Sequence, residues 1–227
     1  MEENSIVVIT GDFLDNKNRI TPEEIVLARE FILDIAHRCN VFIIAGNHDK
    51  NLHFSEKEDN LTAIISNGNF PHKNVHYMKH TGTYQFGDIT FAVASVFDYR
   101  LIPFEEVPEN KYRIALFHGG VGKYTLYNGT HGKEHTVPVK AFDGYDYTLL
   151  GDIHKWQFVD CHKKMAYAGS MIQKNHGENW NDHGYLTWEL ETGVVTHHSI
   201  QNEYRFVTFS ILDGVLMTPT DNLPKNR

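Results

Sequence analysis

The sequence predicts a mixed α/β fold, two sheets packed as a sandwich, and three observations carry that prediction. A strand–helix–strand unit opens the chain, a long β-rich stretch with few helices follows it, and no Gly-x-Gly-x-x-Gly fingerprint follows any strand. The first strand is the run Ser5-Ile6-Val7-Val8-Ile9-Thr10, whose unbroken apolar, β-branched character suits burial on both faces. A helix is expected over residues 21–39. Thr21 is a good N-cap, Pro22 takes the first helical position, and Glu24 completes a capping box. Ile25, Leu27, Ala28, Ile32, Ile35 and Ala36 then recur at roughly helical spacing. Val41-Phe42-Ile43-Ile44-Ala45 is a second buried strand, which closes a βαβ unit with the usual right-handed crossover.

A short helix is expected over 56–66, and strands over 75–78, 83–86, 89–95, 112–117, 145–150, 165–168, 185–190 and 194–199. Gly87-Asp88 reads as a type I′ turn joining two of these strands. One more strand is expected over 204–212, before a polar tail holding Pro219 and Pro224. The chain therefore divides into a domain over 1–200 and a stretch over 201–227, a strand followed either by a tail or by the start of a further domain.

Composition narrows the function. At 227 residues, 41% apolar and 22% charged, the chain reads as an ordinary soluble globular protein. Twenty-nine acids against 21 bases leave a net charge of −8, which excludes a strongly basic nucleic-acid-binding surface for the stretch as a whole. Cys39 and Cys161 make no disulfide framework. No apolar run approaches the ~20 residues of a membrane span, and Met1-Glu2-Glu3-Asn4 leads straight into a strand without a secretory signal, so an intracellular protein with no membrane partner is expected. The 15 histidines are unusual, and most are scattered bystanders.

Position picks out the rest. Four apolar strands end directly in metal-type residues: Gly11-Asp12, Gly46-Asn47-His48-Asp49, His118-Gly119-Gly120, and Gly151-Asp152-Ile153-His154. The carboxyl ends of strands line the ligand crevice of open α/β sheets, so these motifs converge if their strands lie together. The adjoining glycines permit tight turns and close backbone approach. Gly11-Asp12 alone is as often a turn as a ligand, and a lone histidine after a strand is more often a satisfied polar group. The set in this order is far more specific than any member.

Taken with Asp15, the series resembles the calcineurin-like metallophosphoesterase motifs GDxxD, GNHD, H and GHxH across residues 5–200. Asn16-Lys17 with Pro22, Phe142-Asp143-x-Tyr145-x-Tyr147, and Tyr167-Ala168-Gly169-Ser170 are similar to the SbcD (meiotic recombination eleven) type of DNA-repair nuclease. The resemblance implies a two-sheet sandwich whose last strand begins a cap domain. It also implies a metal-dependent phosphodiesterase, a DNA exonuclease or endonuclease of double-strand-break repair. Two divalent cations would clamp the phosphodiester and activate water. Asp12 would bridge them, Asn47, His118 and Asp152 would complete one shell, and His154 would join the other. His48 would protonate the departing alkoxide, Asp15 and Asp49 would orient it or its neighbours, and Gly119, Tyr167 and Ser170 would meet substrate. Oxygen and nitrogen ligands without thiolate favour Mn²⁺. The implied partners are DNA, an SbcC-type ABC ATPase, and a second copy docked through the helices at 22–38 and 56–66.

Three departures stand against that pattern. The family's first motif, Asp-x-His after an earlier strand, is absent, because four residues precede the first strand; an upstream strand carrying it is expected. The other Asp-x-His, Asp160-Cys161-His162, follows the wrong kind of strand. Asp152 stands where the family has histidine, which hardens the site towards Mn²⁺ or Mg²⁺. The charge of −8 suits DNA poorly, so a cap domain and the ATPase would have to supply affinity. The alternatives are a phosphatase of the same superfamily, acting on nucleotides or phosphoproteins, and a catalytically dead scaffold subunit.

Overall fold

The structure is a computed structural model, and it describes residues 5–54, 56–65, 73–132 and 136–217. The opening unit forms as expected: β1 (Ile6–Thr10), α1 (Pro22–Ala36) and β2 (Asn40–Ile44), with β1 and β2 parallel. The capping box closes, Glu24 N–H donating to Thr21 Oγ1 at 3.2 Å and Thr21 N–H to Glu24 Oε2 at 2.6 Å. The helix stops at Ala36 rather than 39 because the Arg38 and Cys39 amides both turn back onto the Ile35 carbonyl, at 2.8 and 3.0 Å, which frees Asn40 to start β2. β3 (Val75–Tyr77) pairs parallel with β2 and completes a three-stranded sheet in the order β1-β2-β3.

The second sheet holds β4 (Gly82–Phe86), β5 (Ile89–Ala94), β6 (Tyr112–His118), β7 (Tyr147–Gly151), β8 (Gln157–Phe158) and β9 (Met165–Tyr167), in the order β4-β5-β6-β7-β9-β8. Its four central strands run parallel and its two edges antiparallel. Strand alternation sorts the cores. Phe42 and Ile44 of β2 meet Phe91, Val93, Ile114 and Leu116 between the sheets, whereas Val41 and Ile43 face Ala28, Ile32 and Ala36 of α1. Ala92, Ala94, Ala115 and Phe117 look outward from the second sheet, under Ile102, Val107, Phe142 and Tyr145. The predicted mixed two-sheet sandwich is the observed architecture.

Details differ from expectation. The second helix, α2 (Asn60–Ile65), begins later than 56 because the buried Asp59 caps it, accepting from the Thr62 amide at 2.7 Å. Residue 66 lies outside the described residues. Tyr145 precedes its strand, held by its hydroxyl on the Ile102 carbonyl at 2.7 Å. The Gly87-Asp88 turn has positive φ at Gly87 alone, +53°, the type II′ rather than the I′ arrangement. β10 (Gly184–Glu189) and β11 (Val194–Ser199) form a separate hairpin.

The strand expected over 204–212 does not form. Residues 204–210 lie outside any strand and leave Tyr204 71% exposed; Ile211 and Leu212 pair with Val215 and Leu216 across Asp213-Gly214, and the Met217 amide adds a bond to the Ser210 carbonyl at 2.8 Å. Both turn residues have positive φ, as a type I′ turn requires. Pro219 and Pro224 lie outside the described residues. Among the described residues no helix is long and apolar enough to cross a membrane.

Candidate metal centre

The four motif-bearing strands come from different sheets, β1 and β2 from the first and β6 and β7 from the second. Face-to-face packing sets their carboxyl ends side by side. Thr10 stitches them: its hydroxyl donates to the Leu150 carbonyl at 3.3 Å, and its own carbonyl lies 2.7 Å from His118 Nδ1. A carbonyl only accepts, so Nδ1 carries the proton and Nε2 turns a lone pair towards the sheet edge.

Three oxygens surround that nitrogen. Asn47 Oδ1 lies 3.2 Å, Asp12 Oδ1 3.3 Å and Asp152 Oδ1 3.9 Å from His118 Nε2. Ligand atoms of Asp12, His118 and Asp152 all fall within 4.8 Å of one another, and His118 is 1% exposed. Such a set has no donor at its centre. It suits a divalent cation, with one imidazole, two carboxylates and an amide oxygen.

The electrostatics agree. Burial raises the Asp12 carboxyl, but the His118 imidazole and the His48 amide outweigh burial and hold it below the ordinary carboxylate range. Burial likewise works against charge on His118, yet Asp12, the Thr10 carbonyl and Asp152 draw its pKa up. Asp152 is pushed up, chiefly by burial and also by Asp12, against the pull of the nearby histidines. The cluster is short of positive charge.

Backbone geometry holds the cup tight. Asp12 and Asp152 both sit at positive φ, +51° and +88°, a region costly for non-glycine residues and common at functional sites. Three glycines leave room that a Cβ would fill. One on Gly46 would strike the Asp12 carboxylate, one on Gly11 the His118 ring, and one on Gly151 the Thr10 carbonyl.

The catalytic candidate lies alongside. His48 donates its amide to Asp12 Oδ1 at 2.8 Å, and its Nδ1 meets the Asp15 carbonyl at 2.7 Å. Asp15 thus orients His48 through its backbone; its carboxylate pairs with Lys174 at 3.0 Å, and that contact, more than any other, lowers its pKa. Asp49 is fully buried and accepts from the amides of Gly46 (2.8 Å), Leu14 (3.0 Å) and Phe13 (3.3 Å), tying the first two motifs together. Burial pushes its carboxyl up to about 6 despite those amides.

The remaining candidates are less uniform. His154 is outside the three-residue cluster; its side chain is 40% exposed and its Nδ1 lies 2.7 Å from Glu178 Oε1. Ser170 Oγ bonds His183 Nδ1 at 2.9 Å. Tyr167, expected against substrate, is instead fully buried: its hydroxyl donates to the Gly119 carbonyl at 2.9 Å and accepts from the Val121 amide at 2.7 Å. It reaches the site only by fixing the turn after β6, and Gly119 serves that turn at φ +154°. The Asp160-Cys161-His162 stretch is a turn, Asp160 accepting from the amides of His162, Lys164 and Met165. Sequence reasoning missed Glu178, Lys174 and Tyr99. Tyr99 sits at φ +51° with its ring edge-on to Phe117, and burial, then Asp152 and Asp12, raise its hydroxyl pKa. Only a polar run around Glu178 hinted at any of them.

Comparison with known proteins agrees with this geometry. The profile of the calcineurin-like phosphoesterase family matches residues 1–201. An uncharacterized protein of Acanthamoeba polyphaga mimivirus is 34% identical over 223 residues, covering 94% of this chain but only 16% of the relative. With the motif residues gathered at one sheet edge and a family match over most of its length, the chain belongs to the calcineurin-like phosphoesterases.

Proposed function

We propose that this chain is the hydrolytic part of a larger nuclease, a Mn²⁺-dependent phosphodiesterase that cleaves DNA ends in concert with an SbcC-type ABC ATPase. The observation that carries the hydrolytic reading is the cup of Asp12, Asn47 and Asp152 oxygens around His118 Nε2. Divalent ions bound at such an edge polarise phosphoryl oxygens and generate a nucleophile from water. Asp12, Asn47, His118 and Asp152 would hold one such ion, and His154 would contribute to a second. His48 Nδ1 is held on the Asp15 carbonyl and its amide on the Asp12 carboxylate, so Nε2 is the nitrogen turned outward, and it can protonate the departing alkoxide from the imidazolium form of the ring. The SbcD-like features around Phe142 and Tyr167 favour DNA as substrate. The relative is about six times longer than the stretch it shares with this chain; on this reading the ATPase partner supplies the positive charge that DNA binding needs. A homodimer through α1, where Val26 and Leu27 are 55% and 69% exposed, belongs to the same reading.

The test compares linear duplex DNA with a small phosphomonoester, with and without Mn²⁺, for the native chain and His48→Ala. Mn²⁺-dependent loss of DNA ends is expected, reduced ~10²–10⁴-fold in the variant with Mn²⁺ binding retained. Full activity in His48→Ala would sink the acid role. Turnover of the monoester without any on DNA would select the phosphatase, and ion binding with no hydrolysis the scaffold.

A further inference from the structure

Three carboxylates are buried among the described residues, Asp49, Asp59 and Glu178. Asp49 holds backbone amides together, and Asp59 caps a helix. Glu178 differs, because one of its oxygens faces a histidine that is itself partly exposed. Oε1 lies 2.7 Å from His154 Nδ1 and accepts from Asn175 Nδ2 at 2.9 Å, while Oε2 accepts from the Lys174 amide at 2.8 Å. The loop around it is anchored as well: Gln173 Nε2 donates to the Glu178 and Phe206 carbonyls, at 3.0 and 3.3 Å, and Gln173 Oε1 accepts from the Phe206 amide at 2.9 Å. Lys174 reaches across to Asp15 beside His48.

Burying a carboxylate costs several kcal/mol unless its lone pairs are used. Glu178 uses them on two amides and an imidazole, and an ionised acid can only accept. His154 Nδ1 must therefore carry a proton, which leaves Nε2 as the only nitrogen able to bind a metal. His154 stands two residues from Asp152, just after the end of β7. Carboxylate–histidine pairs of this kind fix the tautomer and ring orientation of metal-binding histidines.

We propose that Glu178 is the positioning residue that sets the His154 tautomer, so that His154 offers Nε2 to the second divalent ion. The proposal rests on the two-ion hydrolase reading and adds to it a residue outside every motif. Glu178→Gln is the sharpest probe. A glutamine has one acceptor oxygen where the site needs two: placed on the Lys174 amide, it turns the NH₂ to His154, gives up the Asn175 bond and demands an unprotonated Nδ1, whereas placed on His154 and Asn175 it strands the Lys174 amide. In the first orientation the substitution inverts the tautomer with little change in volume.

Two measurements on the native chain and this variant decide the matter. In metal-free protein, above the imidazole titration range, ¹⁵N spectra of the histidine rings should show the native His154 as the Nδ1–H tautomer, shifting towards Nε2–H in Glu178→Gln. In Mn²⁺ titration calorimetry the native chain should bind two ions; the variant should keep one at native affinity and lose ~10–100-fold in the other, as His154→Ala also should. A native His154 found as Nε2–H overturns the proposal even if the variant fails to fold. Two ions bound at native affinity by a folded Glu178→Gln whose His154 has turned to the Nε2–H tautomer also overturn it. One ion bound by the native chain removes the second-ion role and leaves the hydrolase reading standing, whereas no ion bound overturns both.

Discussion

The two halves of the site are built differently. The half made of Asp12, Asn47, His118 and Asp152 grows from strand ends, with His118 1% exposed and three glycines leaving no slack around it. The half made of His154, Glu178, Lys174 and Asp15 grows from loops; the His154 side chain is 40% exposed, and Asp15 is 73% exposed in its pair with Lys174. In the first half the backbone itself places the oxygens, so rigidity comes from steric exclusion. In the second, one buried carboxylate and a few hydrogen bonds place the groups. Mutations should therefore act as steps in the first half and as gradations in the second.

Gly46→Ala should have the largest effect, because its Cβ meets the Asp12 carboxylate and amide. A loss of about 3 kcal/mol in urea unfolding is expected, together with loss of high-affinity Mn²⁺ binding. Native ion affinity in that variant would break the picture of a sterically locked cup. Next comes Asp59→Ala, which touches neither half and so calibrates global stability. Asp59 is fully buried and takes hydrogen bonds from Thr62 Oγ1 (2.7 Å) and Tyr77 (2.8 Å), with Lys79 3.0 Å away, so about 2 kcal/mol should be lost at neutral pH.

Asp59 also carries a pH signature. Burial raises its carboxyl, but the bonds from Thr62, Lys79 and Tyr77 outweigh burial and set the folded pKa below 3.8. Its contribution is thus fully present above the ordinary carboxylate value and is lost as pH falls through the lowered folded one. The stability gap between native chain and variant should accordingly hold from neutral pH down to about 4 and shrink below that. A gap that grows on acidification would contradict the assignment.

Tyr167→Phe should cost about 1 kcal/mol, since it strands the Gly119 carbonyl and the Val121 amide, and should lower ion affinity only slightly. A large selective loss of DNA cleavage with intact stability would return Tyr167 to the substrate. Lys174→Ala should do least, within about 0.5 kcal/mol, because its pair with Asp15 is exposed and screened. Its use is kinetic: a clear change in KM with unchanged stability would show that the loop half meets substrate.

Legibility followed the same division. Asp12, Asn47, His118 and Asp152 could be read because each follows a largely apolar run and stands beside a glycine, a signal only a few residues long. The capping box at Thr21 and the unbroken apolar run from Val41 to Ile44 were local in the same sense. Tyr167 was misplaced because chain proximity to a motif says nothing about which way a strand residue points; alternation sent it into the core. The 204–212 stretch was read as a strand on apolar content, but a strand needs a partner, and the partner found was a short hairpin of its own.

By itself the sequence determined the strand ends, the order of the metal-type residues along them, and the chemistry those residues bring. Whether β1 and β2 would meet β6 and β7 at one edge was a matter for sheet packing, because no local signal encodes which faces of two sheets come together. Tertiary structure alone also decided that Glu178, 24 residues beyond His154, would hold that ring. A buried carboxylate finds its partner through the closure of a loop, and loop closure depends on everything the loop packs against.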